Sequence, residues 1–207
     1  MYFRNYSDLI EHLENLQIKD TESLMILVGD ESEYAVSDMM DYLKNRNINF
    51  FGGIYSGLLV GNRNERTGFI VKKFEPVYSS LVFPFMMKIQ VSPEDLRGCT
   101  ALILVDGLSS QMQDLIDTVY NKLEGNVKYI GGGAGFYNMT HKPCIFNNNG
   151  IFKDVLHVCI IKSDVSITVE HGWKKLEGPF FVKRSRDNVL SQLDYSSAFD
   201  VYKHVIE

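Results

Sequence analysis

The residues of this chain best suited to chemistry are a glycine run, an aspartate, and a histidine two positions before the lone tryptophan. Gly131-Gly132-Gly133-Ala134-Gly135 follows a strand-like segment at 127–130. Read as a turn, its backbone N–H groups form a nest for a carboxylate or phosphate, with no Cβ in the way. Tight packing of two layers accounts for the same glycines. The run lacks both the Gly-x-Gly-x-x-Gly spacing of a dinucleotide site and the Lys-Ser/Thr of a P-loop. Asp106 ends the apolar segment 101–105 and precedes a helical one; its carboxylate suits a ligand amine, and it suits a helix dipole still better. His171 and Trp173 fall on one face of a strand-like segment, where they offer an imidazole hydrogen-bond partner and an indole wall. A hydrogen-bonded histidine buttressing a core tryptophan fits them equally well. Ser56 lies in a second glycine-rich turn, Phe51-Gly52-Gly53-Ile54-Tyr55-Ser56-Gly57. Cys144 stands near His141, but no oxyanion donor or orienting acid lies nearby in sequence to make it a nucleophile. Paired carboxylates, metal-ligand spacing and triad order are all missing, so neither metal, cofactor nor catalysis is expected.

The elements that must position these residues recur. Residues 24–30 read as a buried strand, 32–45 as a helix with Val36, Met39, Met40 and Leu43 on its buried stripe, and 48–51 as a strand running into glycines. Residues 101–107, 110–124 and 127–130 repeat that order, with Ser110 and Gln113 at capping-box spacing and Gly125 where a C-cap glycine belongs. The order predicts a duplicated unit, over about 24–90 and 99–171, although few identical residues repeat. An amphipathic helix over 7–17, capped by Ser7, precedes the first unit. After Gly57 the pattern is β: 58–61, 68–74 and 78–90, the last divided or pushed to an edge by Pro84. A turn at 92–95 leads into the second unit. Asn149-Gly150 marks a hairpin, 155–162 and 165–171 read as strands, and a hairpin around Asp187-Asn188 leads to a helix over 197–206 with Ser197 and Asp200 in capping spacing. Together these predict a layered α/β fold, with two related strand-helix-strand halves and mixed sheets flanked by helices, an α/β/β/α sandwich being one such arrangement. The whole chain, 1–207, reads as one domain with a C-terminal hairpin and helix at 176–207.

Composition narrows the function classes. With 207 residues and 45 % hydrophobic content the chain has an ordinary core. A net charge of −5 and the lack of a basic stripe argue against nucleic acid. Three cysteines, Cys99, Cys144 and Cys159, have no paired spacing and suggest a reducing compartment. No signal-peptide pattern and no apolar run of roughly 20 residues is present, so a cytoplasmic protein without membrane insertion is expected.

The C-terminal third resembles a known family. His171-Gly172-Trp173, Gly178-Pro179, Asn188, Leu193-Asp194 and the segment from Ala198 to Tyr202 follow the order and spacing of the FIST family's N-terminal domain. Gly131-Gly132-Gly133-Ala134-Gly135, after a strand ending in Asp106-Gly107, resembles that family's glycine turn. Leu176 and Ser197 stand where the family usually has proline, and Tyr195 where it has glycine. The resemblance implies a sensory or scaffold domain of signalling proteins, proposed to bind small ligands such as amino acids and found in some F-box proteins. It also implies a second, C-terminal domain in typical members, and an effector acting in trans. On this reading the chain senses a small ligand, an amino acid or other small carboxylate, without catalysis. Gly132, Gly133, Ala134, His171, Trp173, Asp106 and Ser56 would form the site where the halves meet. A protein-interaction or adaptor module with no small ligand is the alternative, and an uncharacterised enzyme a more distant one.

Overall fold

Alternating apolar residues and two helical stripes build the architecture in the computed structural model, which describes residues 1–84, 91, 96–186 and 189–207. A short strand, β1 (Tyr2–Phe3), precedes helix α1 (Tyr6–Asn15), whose Leu9 and Leu13 lie one turn apart and are buried. Strand β2 (Ser23–Gly29) passes through a 3-10 turn (Asp30–Ala35) into α2 (Val36–Asn45), and β3 (Asn49–Tyr55) returns parallel to β2. The hairpin β4 (Leu58–Val60) and β5 (Arg63–Glu65) is followed by β6 (Phe69–Phe74) and β7 (Pro76–Val82). Then β8 (Cys99–Asp106), α3 (Met112–Leu123) and β9 (Val127–Ala134) repeat the strand-helix-strand order, again with a parallel pair. The hairpin β10 (Ile145–Asn147) and β11 (Gly150–Phe152) leads to β12 (Leu156–Ile161). Strands β13 (Val182–Arg186), β14 (Val189–Leu193) and β15 (Ser196–Ser197) and helix α4 (Ala198–Ile206) complete the chain.

The chain divides into two compact units, Met1–Ile167 and Thr168–Glu207. In the first, one mixed sheet has the order β1-β6-β2-β3-β10-β11 and a second has β7-β12-β8-β9. The sheets meet face to face: Phe51 of β3 stacks on His157 of β12, with ring centroids 4.6 Å apart and planes within 6°. Leu9, Leu13, Met39 and Leu43 of α1 and α2 join this core, while Leu115, Val119 and Leu123 of α3 pack on Ala101, Val105, Val158 and Ile160 in a second cluster. Helices therefore cover the outer faces of both sheets, an α/β/β/α sandwich. The second unit is the antiparallel sheet β13-β14-β15 with α4, which Ser197 caps by accepting the Asp200 N–H at 3.1 Å.

Several local expectations give way to tertiary structure. The glycines expected in turns, Gly52-Gly53 and Gly131-Gly132-Gly133, lie within β3 and β9, extended and paired in parallel with β2 and β8. A Cβ on Gly52 would stand 1.9 Å from the Ile26 carbonyl oxygen, and one on Gly131 1.9 Å from that of Ile103. The strand expected at 165–171 does not form: that segment is irregular and pairs with no described strand. The capping positions shift as well. α1 starts at Tyr6 behind Asn5; Ser32 sits in the 3-10 turn and accepts the Gly68 N–H; and α3 starts at Met112, with Ser109 Oγ accepting the Gln111 N–H. Glu124, at φ +49°, takes the C-cap position expected of Gly125, and its N–H donates to the Tyr120 carbonyl. Residues 85–90, 92–95 and 187–188, which carry parts of the expected strand 78–90, the turn at 92–95 and the Asp187-Asn188 hairpin turn, lie outside the described residues.

Candidate functional site

Both parallel pairs end in an aspartate, and one loop reaches both. Asp106, the last residue of β8, is 1 % exposed. Its Oδ1 accepts the Leu108 N–H at 3.1 Å, and its Oδ2 accepts the Asp154 N–H at 2.8 Å and the His141 Nε2–H at 2.9 Å. A carboxylate only accepts, so the His141 proton is on Nε2. Asp154 follows β11 at φ +57°, a left-handed conformation that Asp tolerates, and its Oδ1 accepts the Ser109 hydroxyl at 2.8 Å while lying 3.4 Å from His141 Nε2. Donor atoms of Asp106, His141 and Asp154 all lie within 4.8 Å of one another. Two carboxylates facing one imidazole leave negative charge even when the histidine is protonated. Such a set can hold an ammonium group, or a divalent cation through two oxygens and one nitrogen.

Asp30, directly after β2, occupies the corresponding place in the first half. Arg66 donates to it from Nε at 3.1 Å and from Nη2 at 2.9 Å, and the Tyr137 N–H donates to its Oδ2 at 3.0 Å. Burial pushes the Asp30 carboxyl up, but these donors outweigh it and hold the group below the usual carboxylate range. The Arg66 guanidinium lies 4.3 Å from the centre of the Tyr137 ring. Lys142 pairs with Glu33 and lies over the Phe136 ring. Residues 135–144 thus span the C-terminal ends of both parallel pairs, the place where open α/β sheets bind ligands.

The structure gathers some of the residues singled out above and separates others. Ala134 pairs with Asp106, and its carbonyl accepts the Gly107 N–H at 2.9 Å. Gly132 and Gly133 precede it on β9, the edge strand of its sheet, exposed and extended, so the nest geometry of a turn is absent. Ser56 is exposed just after β3, whose Ile54 carbonyl accepts the Gly135 N–H. His171 and Trp173 belong to the second unit and are on no strand. Trp173 is 82 % exposed and its own N–H donates to His171 Nδ1 at 2.8 Å, so neither is core. Cys144 is buried in the first unit. Burial, the Asp106 charge, a hydrogen bond to Asp106 and the Asp154 charge push its thiol up to about 12. An acid does stand beside this cysteine, but it holds the sulfur protonated, the reverse of what a nucleophile needs. Asp154 was not among the residues singled out, and His141 was considered only as a neighbour of Cys144. No spacing signal links them to Asp106, because the loop and the turn after β11 bring them there only in the fold.

The family described as the FIST N domain matches residues 62–196 of the 207-residue chain. No curated protein and no solved structure matches it. The match begins in the turn between β4 and β5 and includes β8, β9, Asp106, His141 and Asp154.

Proposed function

This chain belongs to the FIST family through its FIST N domain, a family of signal-transduction sensory domains, and from that premise we propose that it senses a small amine-bearing carboxylate, such as an amino acid, without catalysis. The observation that carries this reading is the cluster of Asp106, Asp154 and His141 at the strand ends, whose excess negative charge fits a ligand ammonium. On the exposed edge of β9, Gly133 points its N–H away from β8 and towards the ligand's carboxylate, while Gly132 and Ala134 face the β8 ladder; Ser56 lies beside it. No covalent step is required, in keeping with a buried, protonated Cys144. The test is a thermal-shift screen against the amino acids and a panel of small carboxylates and phosphates. A ligand at about a hundred times its Kd adds roughly 2.7 kcal/mol, and the shift is expected to vanish in Asp106→Asn. A panel without any shift would sink the reading.

One observation favours a second reading, a protein-interaction module. The described residues of β13, β14, β15 and α4 include no buried side chain, and Trp173, Tyr195 and Phe199 of the same unit are 82, 90 and 71 % exposed. Aromatic groups presented in this way are typical of docking surfaces. Cross-linking in cells would capture a protein that Trp173→Ala and Phe199→Ser release. Capture unchanged by both variants would remove this reading.

A further inference from the structure

The place suited to a ligand ammonium is already filled by a side chain of the protein. His141 puts one N–H between two carboxylates, 2.9 Å from Asp106 Oδ2 and 3.4 Å from Asp154 Oδ1. A carboxylate oxygen has two acceptor positions, and the Asp154 N–H takes the other one of Asp106 Oδ2 at 2.8 Å. That N–H is backbone and leaves only if the turn after β11 moves, whereas the imidazole can swing away about its own side-chain bonds. An ammonium can therefore bond this oxygen only by replacing His141. It brings three donors and a full charge where the imidazole Nε2 brings one donor, and charge-assisted bonds are about twice as strong as neutral ones. Asp106 is 1 % exposed, but the side chains of His141 and Asp154 are each 34 % exposed, so solvent reaches the groups that would part.

The loop that carries His141 is fixed at its ends by the backbone. The Gly135 N–H donates to the Ile54 carbonyl at 2.8 Å, the Ile54 N–H to the Cys144 carbonyl at 2.8 Å, and the Cys144 N–H to the Phe152 carbonyl at 2.9 Å. Between these anchors residues 137–141 are exposed, and the hydrogen bonds among them are local: Met139 N–H to the Phe136 carbonyl and Thr140 N–H to Asn138 Oδ1, both at 3.0 Å. Two ties hold the loop to the first half, the Tyr137 N–H on Asp30 and Lys142 on Glu33. Within 136–143, and among the described residues, His141 makes the one side-chain hydrogen bond to the end of β8 and the turn after β11. Displacing the imidazole therefore unfastens one side of the loop and leaves the other fastened.

We propose that His141 is an internal stand-in for the ligand ammonium: it keeps the site shut until an amine takes its place between Asp106 and Asp154, and its release frees residues 137–141 to report the exchange. This rests on the amine reading above and adds how the site is regulated. Methylammonium chloride and glycine are titrated into the whole chain, with sodium chloride as the control for ionic strength, and the amide resonances of Asn138, Met139 and Thr140 are followed. Saturating probe should move them to the positions they hold in ligand-free His141→Ala. That variant should bind both probes about tenfold more tightly than the parent, because no hydrogen bond to a carboxylate has to be broken first. His141→Lys supplies a tethered ammonium and should bind neither probe, while an unchanged spectrum away from the loop shows that it folds. A histidine that only shapes the site would weaken binding when replaced by alanine. The proposal is overturned, with the amine reading intact, if His141→Ala binds no more tightly than the parent, if His141→Lys binds like the parent, or if saturation leaves the three amides unmoved. If neither probe binds the parent or His141→Ala, the amine reading fails and the proposal falls with it.

Discussion

His157 lies flat against Phe51, and burial lowers its pKa from 6.5 to about 3, so it is neutral in the folded protein. Between those values the unfolded chain holds a proton that the folded chain does not. Its contribution to stability is therefore complete above pH 6.5 and is lost as the pH falls towards 3. The slope approaches about 1.4 kcal/mol per pH unit, or about 2 kcal/mol by pH 5. Urea unfolding at pH 7 and pH 5 should show this loss in the parent and a smaller one in His157→Gln; equal losses would mean that other groups set the acid response. The cysteines give a second prediction at this scale. All three are buried, and burial pushes Cys159, like Cys144, up to about 12. A thiol reagent should label none of them in the native protein at neutral pH and all three in denaturant. Rapid native labelling of Cys144 would contradict the protonated, enclosed thiol described here. Asp106 was legible as a strand-ending acid before a helix. Its partners His141 and Asp154 were not, because their approach depends on a loop path that no local pattern encodes.

At the scale of the element, the glycines within the strands separate packing from conformational freedom. Gly52 and Gly131 each meet a neighbouring strand's carbonyl oxygen at the Cβ position, whereas no atom of the described residues lies within 4 Å of that position at Gly132. Gly52→Ala and Gly131→Ala should each destabilise the first unit by about 1–3 kcal/mol, and Gly132→Ala by no more than about 0.5 kcal/mol, as read from denaturant midpoints. Similar values at all three positions would refute the close-approach account. Ser197→Ala should cost α4 about 1 kcal/mol through its lost cap, visible as faster amide exchange in that helix. The helical stripes and the buried strands were readable because period and burial go together over ten or more residues. The glycine runs misled because flexibility suits a turn and a crowded strand alike, and only the neighbouring chain decides between them.

For the molecule as a whole, the two compact units suggest where the chain yields first. Residues 163–181 form neither helix nor strand and are largely exposed, with Lys174 and Lys175 among them. Limited trypsin should cut there before anywhere in the sandwich and leave a fragment containing Met1–Ile167 that melts cooperatively. First cleavage inside α2 or α3 would count against that division. By itself the sequence determined the layered α/β class, the two strand-helix-strand halves and the FIST resemblance, since these rest on periodicity and on motifs in order along the chain. The tertiary structure alone decided that Asp106, His141 and Asp154 converge and that the glycines are strand. Residues distant along the chain carry no mutual signal in a single sequence; strand register and the stacking of two sheets create their proximity.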